Sequence, residues 1–151
     1  MKPLIASLLL ACAGAQAAQV HYHLDIRETE MTIAGETAPA MLVNDSYPGP
    51  VLRFTEGDTA HITVTNHTRE DSSVHWHGLL VPPGQDGVPY LSFLPIRPGE
   101  TFQYEFPLKH AGTYWYHSHT DLQEQSGVHG AIVVAPREER LQYDREAVLA
   151  L

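Results

Sequence analysis

The chain has 151 residues, 43% of them hydrophobic and 18% charged, which suffices for one domain with a true core and is too little for two of ordinary size. Nine Lys and Arg against 18 Asp and Glu give a formal charge of −9, a field that repels phosphate backbones and anionic lipid headgroups and so argues against nucleic acid as a partner. Eleven Gly, eleven Pro and seven Tyr favour short strands joined by turns, so an all-β domain is expected.

Residues 1–17 read as a secretory leader. Lys2 supplies the positive start, Leu4 to Ala13 the apolar stretch, and Ala15-Gln16-Ala17 the small-x-small cleavage site. The apolar run is too short for a stable membrane span. Its removal takes away one cation, leaving a chain of net charge −10 that is expected to be exported to the periplasm. Cys12, the single cysteine, lies inside this leader. The mature chain therefore has no disulfide and no thiolate ligand. Leu9-Leu10-Ala11-Cys12 also loosely matches a lipoprotein box, in which Cys12 would be acylated, although Leu10 fits that box poorly.

Short apolar or alternating runs follow at Val20–Ile26, Met31–Ala34, Ala40–Val43, Val51–Phe54, Ala60–Asn66, Ser73–Trp76, Thr101–Phe106, Thr113–His117 and Ala131–Ala135. Turn residues such as Tyr47-Pro48-Gly49-Pro50, Glu56-Gly57-Asp58, Pro82-Pro83-Gly84 and Arg97-Pro98-Gly99-Glu100 separate them. About eight or nine strands at this spacing predict a β-sandwich or Greek-key barrel. Thr120–Ser126 has some helical character. Residues 137–151 read as a charged linker followed by an apolar run, Ala147–Leu151, that opens a second domain or pairs as a terminal strand with the same sheet.

The ten histidines are where chemistry is to be sought, since imidazole is the commonest metal ligand. His75-Trp76-His77 and His117-Ser118-His119 each place two imidazoles on one face of a strand, because side chains alternate with a period of two. Four nitrogens without sulfur or carboxylate suit Cu(II), Zn(II) or one edge of a shared cluster. The competing reading is a set of solvent-facing or hydrogen-bonded structural histidines. His21 and His23 repeat the spacing in the first mature strand, where an exposed edge-strand face explains them. His61, His67, His110 and His129 read as surface or structural residues.

Asn44-Asp45-Ser46-Tyr47-Pro48-Gly49-Pro50, Val74-His75-Trp76-His77-Gly78-Leu79, Asp86-Gly87-Val88-Pro89, Ile96-Arg97-Pro98-Gly99 and Gly112-Thr113-Tyr114-Trp115-Tyr116-His117-Ser118-His119 together resemble the first cupredoxin domain of multicopper oxidases. The order and spacing match as well, over roughly residues 20–151. The run Gln123-Glu124-Gln125-Ser126-Gly127 after the second histidine pair makes the bacterial copper-resistance oxidases of the CopA and PcoA type the nearest subgroup.

The resemblance implies an all-β, Greek-key cupredoxin-like sandwich over residues 18–136, with copper as cofactor and O2 as electron acceptor. It places His75 on a type 2 copper, His77 and His117 on one copper of a type 3 pair, and His119 on the other. Asp86 matches an acidic position that helps to move protons, while Asp-Gly is also a common turn pair. The donors implied are Cu(I) or phenols. The family cluster needs eight histidines and a separate cysteine-bound type 1 copper, and this sequence offers four histidines and no mature cysteine. The remaining oxidase domains or a partner chain must then supply the rest, and the sequence is expected to be the front part of an oxidase. The other reading is a stand-alone copper-binding or copper-sequestering protein without turnover.

Overall fold

The computed structural model describes residues 17–138 and 141–150; the leader reading and Cys12 lie outside the described residues, apart from Ala17. Among the described residues, eight strands form two four-stranded sheets. The first contains β1 (Gln19–Ile33), β2 (Glu36–Val43), β4 (Thr59–Asn66) and β6 (Thr101–Pro107), in the order β2-β1-β4-β6. The second contains β3 (Gly49–Thr55), β5 (His75–His77), β7 (Gly112–His117) and β8 (His129–Ala135), in the order β3-β8-β7-β5. The pairs β1/β4 and β3/β8 are parallel and the other pairs are antiparallel. This is the expected all-β sandwich.

Two predicted runs, Val20–Ile26 and Met31–Ala34, merge into the single strand β1. The polar stretch between them, Arg27-Glu28-Thr29-Glu30, pairs residue by residue with Leu42 to Pro39 of β2, so the hairpin partner carries the ladder where the apolar pattern lapses. Ala34 (φ 52°) and Gly35 (φ 91°) close that hairpin, both in the positive-φ region that a tight two-residue turn of this hand requires. β1 pairs with β4 over Gln19–Ile26 and with β2 only from Ile26 onward, so at His21 and His23 it has a strand on one side alone, in keeping with the edge-strand reading. Both are exposed, on the face that strand alternation turns away from the core.

The core lies where the inner faces meet. Strict alternation in β4 buries Ala60, Ile62 and Val64, and in β8 it buries Ile132 and Val134. At the centre Trp76 has no exposed surface and stands edge-on to Tyr104, with ring centroids 4.9 Å apart, and beside Phe106 and Tyr116. Burial pushes the phenols of Tyr104 and Tyr116 above their ordinary pKa, so both stay neutral.

Among the described residues there is one turn of α-helix, α1 (Gln123–Ser126), inside the stretch expected to be helical, and one 3-10 turn at Pro83–Gln85. Residues 141–150 add no strand to either sheet. Arg53 pairs with Glu146 at 2.5 Å, and Val148–Ala150 line an apolar cleft of about 560 Å³ with Tyr114, Trp115 and His129. No helix among the described residues is long and apolar enough to cross a membrane.

Candidate metal centre

The antiparallel pairing of β5 with β7 sets His75 opposite His117, Trp76 opposite Tyr116, and His77 opposite Trp115. Alternation then divides the two strands cleanly. Trp76 and Tyr116 enter the core, while His75, His77, Trp115 and His117 share the other face. The rings of His75 lie 5.6, 5.4 and 5.8 Å from those of His77, His117 and His119. The structure thus gathers all four sequence-predicted histidines at one end of the second sheet.

Backbone carbonyls decide which nitrogen each ring offers. His75 Nδ1 lies 2.7 Å from the carbonyl oxygen of Asp86, and since a carbonyl only accepts, Nδ1 carries the proton and Nε2 is left free. His117 Nδ1 likewise donates to the carbonyl of Ser118 at 2.8 Å, with a carboxylate oxygen of Glu124 at 2.9 Å. Its Nε2 faces Nδ1 of His77 at 3.2 Å. One donor atom from each of His75, His77 and His117 lies within 4.8 Å of the other two, and among the described residues no other such group of three occurs. His119 stands further out: it is exposed, its backbone N–H donates to Ser73 Oγ at 2.9 Å, and its ring centroid is 6.1 Å from that of His117.

The donor set fits copper. Neutral imidazoles without sulfur suit a borderline cation, and two nitrogens each about 2.0 Å from one ion at a near-tetrahedral angle would lie about 3.2 Å apart, as those of His77 and His117 do. Second-sphere acceptors on the remote nitrogens are what fix the tautomer of metal-ligating histidines. Burial pulls the pKa of His117 below the ordinary imidazole value, with His75 and His77 acting in the same direction and Ser118 and Glu124 acting against. A lowered pKa keeps this ring neutral and competent to bind metal into mildly acidic solution.

Asp86 touches the centre mainly through its backbone. Its carboxylate oxygen is 3.4 Å from His75 Nδ1, beyond the carbonyl contact. Gly87, at φ +72°, presses the Asp86–Gly87 turn against Val74. Two participants carried no assigned role in the sequence. Trp115 stacks on both His77 (5.1 Å) and His117 (4.2 Å); its position two residues before His117 was the available signal. Glu124 could be found only from the fold. Of the remaining histidines, His129 lies opposite His117 in the β7/β8 ladder, its Nδ1 3.1 Å from the Glu124 carbonyl oxygen. His21 stacks on His61, and His23 and His67 both contact Oδ1 of Asp25, at 3.0 and 2.9 Å.

A sequence model described as multicopper oxidase matches residues 25–139. The chain belongs to the multicopper oxidase family. It is 50% identical over 131 residues to copper resistance protein A of Escherichia coli, covering 86% of this chain and 22% of that protein. It is 44% identical over 146 residues to the copper resistance protein A of Pseudomonas syringae pv. tomato, covering 93% and 24%. Among solved structures, a multi-copper oxidase from Pseudomonas thermotolerans superposes with a TM-score of 0.78 at 37% identity, covering 82% of this chain and 31% of that one. This is a multicopper oxidase domain related to copper resistance proteins, and it spans less than a quarter of the length of those curated relatives. The family carries the expected cofactor, copper.

Proposed function

We propose that this domain supplies His75, His77, His117 and His119 to a trinuclear copper cluster at which an exported oxidase reduces O2 to water. The observation that carries the reading is the convergence of free imidazole nitrogens. Nδ1 of His75 and of His117 are both tied down by carbonyls, Nε2 of His117 faces Nδ1 of His77 at 3.2 Å, and one donor atom from each of the three rings lies within 4.8 Å of the others. The facing pair His77/His117 supports their sharing one copper of a type 3 pair, and the outlying His119 supports its holding the other. His75, whose ring neighbours all three, is the type 2 ligand.

Copper bound there supplies one-electron redox chemistry, four electrons and four protons converting O2 to two waters. The chain's own residues do the positioning. Asp86 and Ser118 hold two rings in one tautomer through carbonyls, and Glu124 adds a negative charge behind His117, which strengthens its Nε2 as a donor. The carboxylate of Asp86, about a third exposed and 3.4 Å from the His75 ring, is placed to pass protons between solvent and the cluster. Residues 18–136 form the copper-binding domain, and residues 137–151 lead towards the next. The other four histidines and a cysteine-bound type 1 copper come from further oxidase domains or from a partner chain, which also receives electrons from Cu(I) or phenolic donors. Export follows the leader at residues 1–17, to the periplasm.

The test combines two measurements. The purified chain is expected to take up Cu(II) through imidazole nitrogen and to show no oxidase turnover alone, and to gain O2-consuming activity when the missing domains are supplied in trans. Tight binding of a single copper with no gain on complementation would favour a stand-alone copper-sequestering protein instead.

A further inference from the structure

The two histidine motifs are joined by only three β5/β7 residue pairs, and beyond His117 the second motif leaves the ladder. Apart from the Ser118 N–H bond to the Val128 carbonyl at 2.9 Å, what holds it there is a buried polar network centred on Gln123, whose side chain is almost fully buried. Its Oε1 accepts hydrogen bonds from Ser72 Oγ at 2.8 Å and Ser118 Oγ at 2.9 Å, and its Nε2 donates to the Asp71 carbonyl at 2.8 Å. Both acceptor lone pairs are thereby used. Ser118 lies between His117 and His119. Ser72 lies three residues before His75 and is itself fixed by reciprocal backbone bonds to Ile96, both 2.9 Å. The neighbouring Ser73 Oγ accepts from the backbone N–H of His119 and pairs with Thr120 Oγ1, each at 2.9 Å. Ser118 Oγ also accepts from the Thr120 N–H at 3.1 Å.

We propose that Gln123 is a positioning residue of the metal centre: its carboxamide, shared by Ser72 and Ser118, fixes the His117–His119 motif against the His75–His77 motif. The inference rests on the metal-centre reading above. A network that served the core alone would have no need to bridge these two serines, each within three residues of a candidate ligand. A satisfied buried network is rigid, and removal of one member leaves buried groups unpaired. Because metal sites tolerate little misplacement of their ligands, the imidazoles should drift when the bridge is cut.

The experiment uses the whole chain, with Cu(II) as the probe, and compares wild type with Gln123→Leu, Ser72→Ala, Ser118→Ala and a control, Ser126→Ala. Ser126 sits on the same helical turn, and its hydroxyl donates to the Leu122 carbonyl at the start of that turn, outside the network. The first three variants are expected to bind Cu(II) roughly tenfold more weakly, with altered nitrogen couplings in the copper electron paramagnetic resonance spectrum, while the control matches wild type. In the metal-free chain, nuclear Overhauser contacts between the His75 and His117 rings, 5.4 Å apart, should weaken in the same three. Wild-type affinity, spectrum and ring contacts in Gln123→Leu or Ser118→Ala would overturn the proposal. The serine variants decide the matter if Gln123→Leu does not fold. Failure of the wild-type chain to bind Cu(II) through imidazole would sink the metal-centre reading, and the ring contacts would still decide the role of Gln123.

Discussion

Gly87→Ala should be among the most disruptive single-methyl additions to this protein. Gly87 sits at φ +72°, and an added Cβ would lie 2.6 Å from the carbonyl carbon of Val74, closer still to its oxygen, and 3.1 Å from the backbone nitrogen of His75. These are backbone atoms, and Val74 is fully buried, so the clash cannot be relieved by a side-chain rotation. The left-handed conformation costs a non-glycine residue about 1–2 kcal/mol, and forcing an extra methyl into a packed site adds about 1–3 kcal/mol. The sum, roughly 2–5 kcal/mol, is a large share of the about 5–15 kcal/mol that keeps a domain folded. Three residues earlier, Gly84 has open space around its Cβ position and no left-handed φ, so Gly84→Ala should be neutral or stabilising by about 0.4–1 kcal/mol. Urea unfolding of both variants measures the contrast, and Cu(II) titration of Gly87→Ala should show weakened binding, because the Asp86 carbonyl is pushed off His75 Nδ1. If Gly87→Ala unfolds within about 0.5 kcal/mol of wild type, the close packing of this turn on the strand is not what holds His75.

Trp76→Ala should destabilise the chain by about 3–5 kcal/mol, since the ring is fully buried between the sheets; loss of a cooperative unfolding transition or a large drop in its midpoint is the expected readout. Glu124→Gln keeps a hydrogen-bond acceptor behind His117 but removes its charge, and Cu(II) affinity should fall roughly tenfold, with unchanged thermal stability as the companion measurement. For Asp25, burial pushes the pKa up, but hydrogen bonds from His67, His23 and Arg27 outweigh it and hold the carboxyl below its ordinary 3.8. A carboxyl with a depressed folded pKa contributes stability that is present above the unfolded value and lost as pH falls through the folded one. Asp25→Asn should therefore flatten the acid limb of the stability curve below about pH 4 and leave its slope above that unchanged.

Much of this was written in local pattern. The alternation His75-Trp76-His77 and Tyr116-His117 by itself assigns imidazoles to one face and aromatic rings to the core, because the period of a strand is two. The Pro- and Gly-based turns delimit most of the strands, and the two histidine pairs with their flanking residues identify the family. The single strand β1 was not legible, since its polar middle is held by β2, a partner the apolar pattern of β1 does not reveal. Nor was the nitrogen each histidine presents. That choice rests on carbonyls of Asp86, eleven residues away, and of Ser118, next door. The bridge from Gln123 to Ser72 spans 51 residues, and Trp115 acquires two imidazole neighbours only when β5 pairs with β7 in one register. Spacing along a chain fixes which residues share a face; which faces meet, and at what distance, follows from packing two sheets around one core, and that is a property of the whole fold.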